Sequence, residues 1–341
     1  MDFVEKYDPT GQYEVLKRSN EQIEYAGNIK YDHKTGTNKI DNIVLCGMGG
    51  SAIAGDLFRD LYSESLKVPV IVNRTYKLPD FSNADTLFII SSYSGNTEET
   101  LSCLSEIIDR GYSCICITTG GKVKELAEKN GFPCYILQTG FHPRYALYLS
   151  LFSLVSLMVY EGLIPDQADF IKNSAALLKT FGQKYSSHNS PALVLAEKLI
   201  GSIPVIYSYS GINESIGTRF RCQLNENSKM FGISSALPEM NHNEIVAWES
   251  FGAGIPFKTI FLDVPDAGNR NALRRKITSE VISGAGSEIH SAFVTSTGHK
   301  EYLLEQVYFL DWVSYFLAVL QGRDPAEIDN INRLKAEMSA K

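Results

Sequence analysis

Short runs of β-branched and apolar residues alternate with helical patterns along most of the chain, and this alternation restricts the fold more than any other feature. Strand-like runs stand at 42–46 (NIVLC), 68–72 (VPVIV), 86–92 (TLFIISS), 113–118 (SCICIT) and 133–138 (PCYILQ). Helical stretches lie between them, at 52–62 (AIAGDLFRDLY), 97–110 and 122–130. Pro143 sits where a first-turn helical proline belongs, ahead of an apolar helix. The pattern restarts with strands at 203–211 (IPVIYSYSG), 256–264 (PFKTIFLDV) and 288–295 (EIHSAFVT), and helices at 213–223, 269–283 and 301–321. Asp324-Pro325 then opens a last helix with Ile328, Ile331 and Leu334 on one face. Apolar strands separated by helices predict parallel sheets covered on both faces.

The 341 residues suggest two domains at roughly 150 residues each. The expected class is α/β: two doubly wound, mostly parallel sheets flanked by helices, plus a C-terminal helix. A helical arm is expected at 1–40, a first subdomain at 41–181, a second at 192–322 and the last helix at 323–341. The polar stretch 182–191 (GQKYSSHNSP) reads as the linker. A short internal repeat supports two similar halves: Ala54-Gly55-x-x-Phe58-Arg59 matches Ile216-Gly217-x-x-Phe220-Arg221, each just after a strand and a glycine turn.

Charge narrows the partners. The net charge is −7 and no Lys/Arg-rich run occurs, so no nucleic-acid partner is expected. An anionic ligand would have to be held by backbone N–H groups, hydroxyls and a few placed cations. The six cysteines, Cys46, Cys103, Cys114, Cys116, Cys134 and Cys222, form no C-x-x-C pair. They read as small buried hydrophobes in a reducing compartment, so a cytoplasmic location is expected. The first residues show no positive-then-apolar signal pattern. The uncharged stretch 145–160 is shorter than the ~20 apolar residues a bilayer needs. It reads as a buried helix, with no membrane partner.

Two turns have the composition of an anion site. Gly47-Met48-Gly49-Gly50-Ser51-Ala52 follows a strand and opens a helix, whose first N–H groups favour an anion. The same residues fit a G-x-G-x-x-A dinucleotide fingerprint, which wants an acidic residue ~20 positions on. Here the second strand ends in Asn73-Arg74, and an arginine suits a 2′-phosphate, so that alternative stays open. The second turn, Ser91-Ser92-Tyr93-Ser94-Gly95-Asn96-Thr97, gathers the hydroxyls of Ser92, Ser94 and Thr97 at another helix start. Such a cluster suits a compact phosphate monoester. It also fits a capping box, with Asn96 as cap and Glu99 three residues on. No G-x-x-x-x-G-K-[ST] loop is present.

Polar groups are dense between Arg219 and Glu244. They include Arg221, Asn225, Glu226, Asn227, Lys229, Glu239, Asn241, His242 and Asn243. These read as loop and helix-start segments, where functional groups concentrate. Asparagines flank both Glu226 and His242 and are able to orient a carboxylate or an imidazole. A solvated polar surface is the plain alternative. No metal-ligand spacing and no G-x-S-x-G elbow occur.

CGMGGSAIAGD (46–56), SYSGNTEET (92–100), NENSK (225–229) and PEMNHNEIV (238–246) together resemble the bifunctional phosphoglucose/phosphomannose isomerases of the sugar isomerase (SIS) fold family. The similarity runs from about Ile43 to the last helix. The first two motifs are shared by SIS domains generally, and the last two are specific to this isomerase group. The resemblance implies that Ser51, Ser92, Ser94 and Thr97, with Gly49 and Gly50, hold the substrate phosphate. It implies Glu226 as the base between C1 and C2, and His242 as the ring-opening group, supplied by the neighbouring subunit. Arg144 would face the enediolate and Lys335 would assist ring opening. It further implies hexose 6-phosphate substrates, a homodimer with a shared site, and neither metal nor cofactor. The family carries a Thr or Ser about two turns before the lysine, where this chain reads DPAEI (324–328).

The expected activity is therefore aldose–ketose isomerisation of glucose and fructose 6-phosphates, extending to mannose 6-phosphate. Three alternatives stand beside it: a non-catalytic sugar-phosphate sensor, an aminosugar-phosphate isomerase and an NADP-dependent oxidoreductase.

Overall fold

A computed structural model describes residues 2–33, 39–250, 254–265, 267–292 and 294–339. The chain begins with helices α1 (Asp2–Tyr7), α2 (Gln12–Lys17) and α3 (Ser19–Gly27). There follow β1 (Asn42–Cys46), α4 (Gly49–Tyr62), β2 (Val70–Asn73), β3 (Thr86–Ser92), α5 (Glu98–Asp109), β4 (Cys114–Thr118), α6 (Gly121–Asn130) and β5 (Cys134–Ile136). A 3-10 turn, Pro143–Tyr145, leads into α7 (Leu147–Tyr160), then α8 (Ala168–Tyr185) and α9 (Pro191–Leu199). The remainder is β6 (Ile203–Tyr209), α10 (Glu214–Glu226), β7 (Ile233–Leu237), 3-10 turns at Glu239–His242 and Glu244–Ser250, β8 (Phe257–Phe261), α11 (Asn269–Gly284), β9 (Glu288–Ser291), α12 (His299–Leu320) and α13 (Asp329–Ser339). These elements form two compact units: Arg18–Lys179, and Met1–Lys17 with Thr180–Lys341.

In the unit Arg18–Lys179 five parallel strands are ordered β2-β1-β3-β4-β5, with Ile43 opposite Val70 on one side and Leu87 on the other. Every position of β1, β3 and β4 is buried, as expected of strands covered on both faces. Val44, Cys46, Phe88, Ile90, Cys114 and Cys116 pack with Leu104 and Ile107 of α5 and Val123 and Ala127 of α6. The uncharged run ahead of Tyr160 is α7, fourteen residues long and mostly buried.

The second unit has four parallel strands ordered β7-β6-β8-β9. One face packs Val205, Tyr207, Tyr209, Leu237 and Phe261 against Trp248 and Ile282. Among the described residues α12 is the one helix long and apolar enough to cross a membrane, and 94% of that window is buried within the protein. It is the core helix of its unit.

Both sheets therefore share the order 2-1-3-4, and the internal repeat has a packing cause. A Cβ on Gly55 of α4 would lie 3.0 Å from Val72 and 3.2 Å from Leu45. A Cβ on Gly217 of α10 would lie 3.0 Å from Ser234 and 3.1 Å from Ser208. In each half the helix after the first strand needs a glycine where it crosses that strand and its neighbour.

Several boundaries differ from those read in the sequence. The N-terminal arm is not one piece: α1 and α2 belong with the second unit, where the Tyr308 hydroxyl donates to the Leu16 carbonyl at 2.6 Å and the Tyr315 hydroxyl to Asp8 at 2.9 Å. Half of the 182–191 linker is helical, because α8 runs to Tyr185 and α9 starts at Pro191, with the Ala192 N–H bonded to the Ser190 hydroxyl. Strand β7 has no counterpart in the sequence reading, since ISSAL carries one β-branched residue. The last helix starts at Asp329, because the Asp324 carboxylate accepts the Ala326 N–H in a preceding turn. Positions 34–38 of the arm, 293 of the expected last strand and 340–341 of the expected last helix lie outside the described residues.

Arg219 on α10 is buried and reaches Asp311 on α12 with two bonds, 3.0 and 2.9 Å. Gln223 adds a third to the same carboxylate at 3.2 Å. Arg219 is thus a packing residue. Arg219→Met should cost about 3–5 kcal/mol in urea unfolding, because Asp311 is left charged and uncompensated. Adding Asp311→Leu should recover part of that loss.

Candidate active site

The turns after β1 and β3 flank the point where strand order reverses in the first sheet, the position where ligands bind in open α/β sheets. Two helices start there. The N-caps of α4 and α5 are Met48 and Thr97, and neither makes a side-chain capping bond. Their first N–H groups have no intrahelical acceptor.

The two turns are tied together. The Tyr93 N–H donates to Ser51 Oγ at 3.2 Å. Ser92 Oγ accepts the Gly95 N–H at 3.1 Å and lies 3.0 Å from Thr97 Oγ1. Ser51 and Ser92 are buried, Thr97 is half-buried, and Ser94 and Gly49 are exposed. Gly95 adopts φ +69°, and a Cβ there would lie 1.8 Å from the Gly120 carbonyl oxygen. The turn after β4 is pressed against it, with the Thr119 hydroxyl bonded to the Tyr93 carbonyl at 2.6 Å.

The capping box does not form. The cap of α5 is Thr97, and the Asn96 side-chain oxygen Oδ1 instead accepts the Lys122 N–H of α6 at 3.1 Å. The close approach of the turns at Gly95 and Gly120 carries Asn96 to the neighbouring helix start.

Arg144 joins the same place. A Cβ on Gly50 would lie 2.5 Å from the Pro143 carbonyl oxygen and 3.6 Å from Arg144 Cα. Only glycine lets the Pro143–Tyr145 turn sit against the start of α4. Arg144 is buried, its guanidinium 5.3 Å from the Tyr145 ring centre. Gln22 fixes the segment, donating to the Tyr145 carbonyl at 2.7 Å and accepting the Leu149 N–H at 3.2 Å. The Tyr93 hydroxyl donates to the Gln138 carbonyl and accepts the Phe141 N–H, both at 3.0 Å. Burial raises that hydroxyl above its ordinary pKa. Tyr93, Gln22 and Thr119 were not singled out in the sequence. Tyr93 alone carried a signal, a large ring between two serines of a turn.

The residues that a nicotinamide dinucleotide would use at the end of β2 are engaged. Arg74 pairs with Asp56, and Asn73 is buried with its amide on the Lys77 carbonyl at 2.9 Å.

Glu226, His242 and Lys335 belong to the second unit. Glu226 is the last residue of α10 and is half-buried. His242 ends the 3-10 turn beyond β7 and is exposed, and Lys335 lies exposed on α13. Glu226 precedes β7 and His242 follows it. The strand's five residues, roughly 17 Å of extended chain, stand between them.

The asparagines around both residues serve packing. Asn227 donates to Ser314 of α12 at 3.0 Å, Asn241 to Thr278 of α11 at 2.8 Å, and Asn243 to Glu239 at 3.0 Å. These bonds fix the segments. Glu244 anchors the His242 segment, accepting the Tyr207 hydroxyl at 2.7 Å and the Ser235 hydroxyl. Burial and that carboxylate push the Tyr207 hydroxyl well above its ordinary pKa.

Among the described residues no three His, Cys, Asp or Glu side chains are grouped to hold a metal. The six cysteines carry free thiols, four of them buried.

Comparison with known proteins agrees with these motifs. The bacterial phospho-glucose isomerase C-terminal SIS domain family matches residues 188–338. A bifunctional phosphoglucose/phosphomannose isomerase of Caldicellulosiruptor bescii is 37% identical over 333 residues, 96% of this chain and 97% of that protein. One of Aquifex aeolicus is 36% identical over 301 residues, 87% and 90% of the two chains. In structure, the C-terminal domain of glucosamine-fructose-6-phosphate aminotransferase from Francisella tularensis aligns with a TM-score of 0.72 at 16% identity, covering 93% of this chain and 96% of that one. That likeness is one of fold.

The paired helix starts predict anion binding. Inorganic phosphate at ten times its Kd should stabilise the protein by about 1.4 kcal/mol, read as a rise in Tm. Gly50→Ala displaces the Pro143 carbonyl and should reduce that rise.

Proposed function

The chain belongs to the family of bifunctional phosphoglucose/phosphomannose isomerases, and we propose that it interconverts the 6-phosphates of glucose, mannose and fructose by moving a proton between C1 and C2 through a cis-enediol(ate). It is an isomerase with an α/β SIS fold. What supports the mechanism above all is the joining of the two uncapped helix starts with buried Arg144 in one unit.

The phosphate is taken by the hydroxyls of Ser51, Ser94 and Thr97 and by the N–H groups near Gly49 and Gly50. Ser92, 2% exposed, serves through its contact with Thr97. Fixing the phosphate brings C1 and C2 into reach of the acid–base groups, and such positioning removes several kcal/mol of barrier. His242 and Lys335 carry the ring-opening proton. Glu226 takes the C2 proton and returns it at C1. Arg144 stabilises the enediolate oxygen, and a preorganised donor of this kind is worth roughly 2.7–4 kcal/mol.

The three sugars share one enediol, so the mannose epimer needs rotation about C2–C3 and no further catalytic group. The stretch DPAEI, without a hydroxyl, is compatible with that requirement. The separation of Glu226 from His242 by the length of β7 supports a homodimer in which His242 serves the neighbouring site. The six free thiols suit the reducing cytoplasm.

Three outcomes test this. In deuterated water with fructose 6-phosphate, Glu226→Gln should bind substrate with near-normal KM and lose deuterium incorporation at C2, followed by NMR. Continued exchange would remove Glu226 as the base, and the same time course identifies the epimers formed. Ser94→Ala with Thr97→Ala should raise KM roughly ten- to hundred-fold, from two lost bonds to a charged group. An unchanged KM would place the phosphate elsewhere. Unfolding and refolding Glu226→Gln together with His242→Ala should restore roughly a quarter of wild-type activity, because half of the symmetric dimers are then hybrids with one intact site. No recovery would put His242 in its own protomer's site.

A further inference from the structure

Lys229 lies three residues beyond Glu226 and is, among the described residues, the one non-glycine residue in the left-handed region, at φ +54°. A lysine backbone costs about 1–2 kcal/mol there, so the surrounding contacts must hold it. Its ammonium makes two of them. Nζ donates to the Asn227 carbonyl at 3.2 Å and to the Asp324 carbonyl. Asn227 closes α10, where a cation also favours the helix end. Asp324 opens the turn from which α13 departs. Nearby, Gln321 at the end of α12 donates to Met230 Sδ at 3.0 Å, and the Ser228 hydroxyl donates to the Ser314 carbonyl at 2.7 Å. One strained lysine thus links the end of the Glu226 helix to the root of the Lys335 helix.

We propose that Lys229 is a positioning residue that fixes the root of α13, and with it Lys335, relative to Glu226. This rests on the roles given above to Glu226 and Lys335. Residues 329–338 of α13 are exposed, while Pro325 and Ala326 at its root are buried. The root therefore sets where the helix points. A displacement of about 1 Å in a catalytic group costs up to roughly a hundredfold in rate, so a tether at the root is sufficient to matter.

The test uses the full chain with fructose 6-phosphate. Lys229→Asn keeps a residue that tolerates positive φ and removes the ammonium. It should lower kcat roughly ten- to hundred-fold with KM within about twofold. Lys229→Arg should restore most of the loss. Amide hydrogen exchange should speed up in α13 and stay unchanged in α12, which a general loss of stability would not produce. Adding Lys229→Asn to Lys335→Ala should slow the enzyme little further, since the tether acts through Lys335. Lys229→Gln is read in the same way where Lys229→Asn does not fold. A wild-type kcat, unchanged exchange in α13, or multiplicative losses in the double variant would each overturn the proposal. Glu226→Gln separates the two levels: if it is inactive while Lys229→Asn is normal, only the tether fails, and if it still isomerises, the base assignment itself fails.

Discussion

The pairing of β1 with β3 and the hydrogen bond from the Tyr93 N–H to Ser51 Oγ hold together the two turns of the candidate anion site. Each turn alone would be an ordinary helix start. Joined, they set two uncapped helix starts beside one another and leave hydroxyls available to donate. The serine oxygen accepts from the backbone of the other turn. Tyr93 then extends the frame through its ring hydroxyl to Gln138 and Phe141, the segment that leads to Arg144. Glycines at 50 and 95 remove the side chains that would hold these pieces apart.

The second half repeats the strand order but not the site. At the corresponding reversal of strand order, Asn213 caps the turn after β6 by accepting the Tyr209 N–H at 2.8 Å. Its amide also donates to the Leu262 carbonyl at 2.8 Å and to Gln306 at 2.9 Å. The next residue, Glu214, accepts the Ser210 hydroxyl at 3.1 Å. Asp263 beside it is held by Arg275 at 2.8 Å and by the Ser291 hydroxyl at 2.7 Å. At this crevice the second sheet has amides and an ion pair, where the first has serine and threonine hydroxyls.

Much of this was legible in the sequence, because strand and helix periods, the glycine turns and the repeated Gly55 and Gly217 are local signals. Ser51, Ser94, Thr97 and the turns that hold them fall where their motifs place them. The misses share a cause. β7 has one β-branched residue in five and exists because its edge pairs with β6. Asn96 sits in a valid capping-box sequence, yet the contact between Gly95 and Gly120, 25 residues apart, brings it to a different helix. Asn227 and Asn241 look like orienting groups for the acid and the base until α12 and α11 supply partners that no spacing announces. Tertiary contacts over long sequence separation decided each of these cases.

The connectivity of the second unit limits how Glu226 and His242 could act together. In a parallel βαβ unit the helix returns to the end of the sheet where the next strand starts. The last residue of α10 therefore lies at the end where β7 begins, and the turn after β7 lies at the other. Glu226 and His242 are bound to these opposite ends by the same rule that makes the crossover. No rotamer change brings together groups separated by a whole strand in a rigid sheet. The proposed homodimer answers this constraint, because it would let each end of the sheet serve a different substrate molecule.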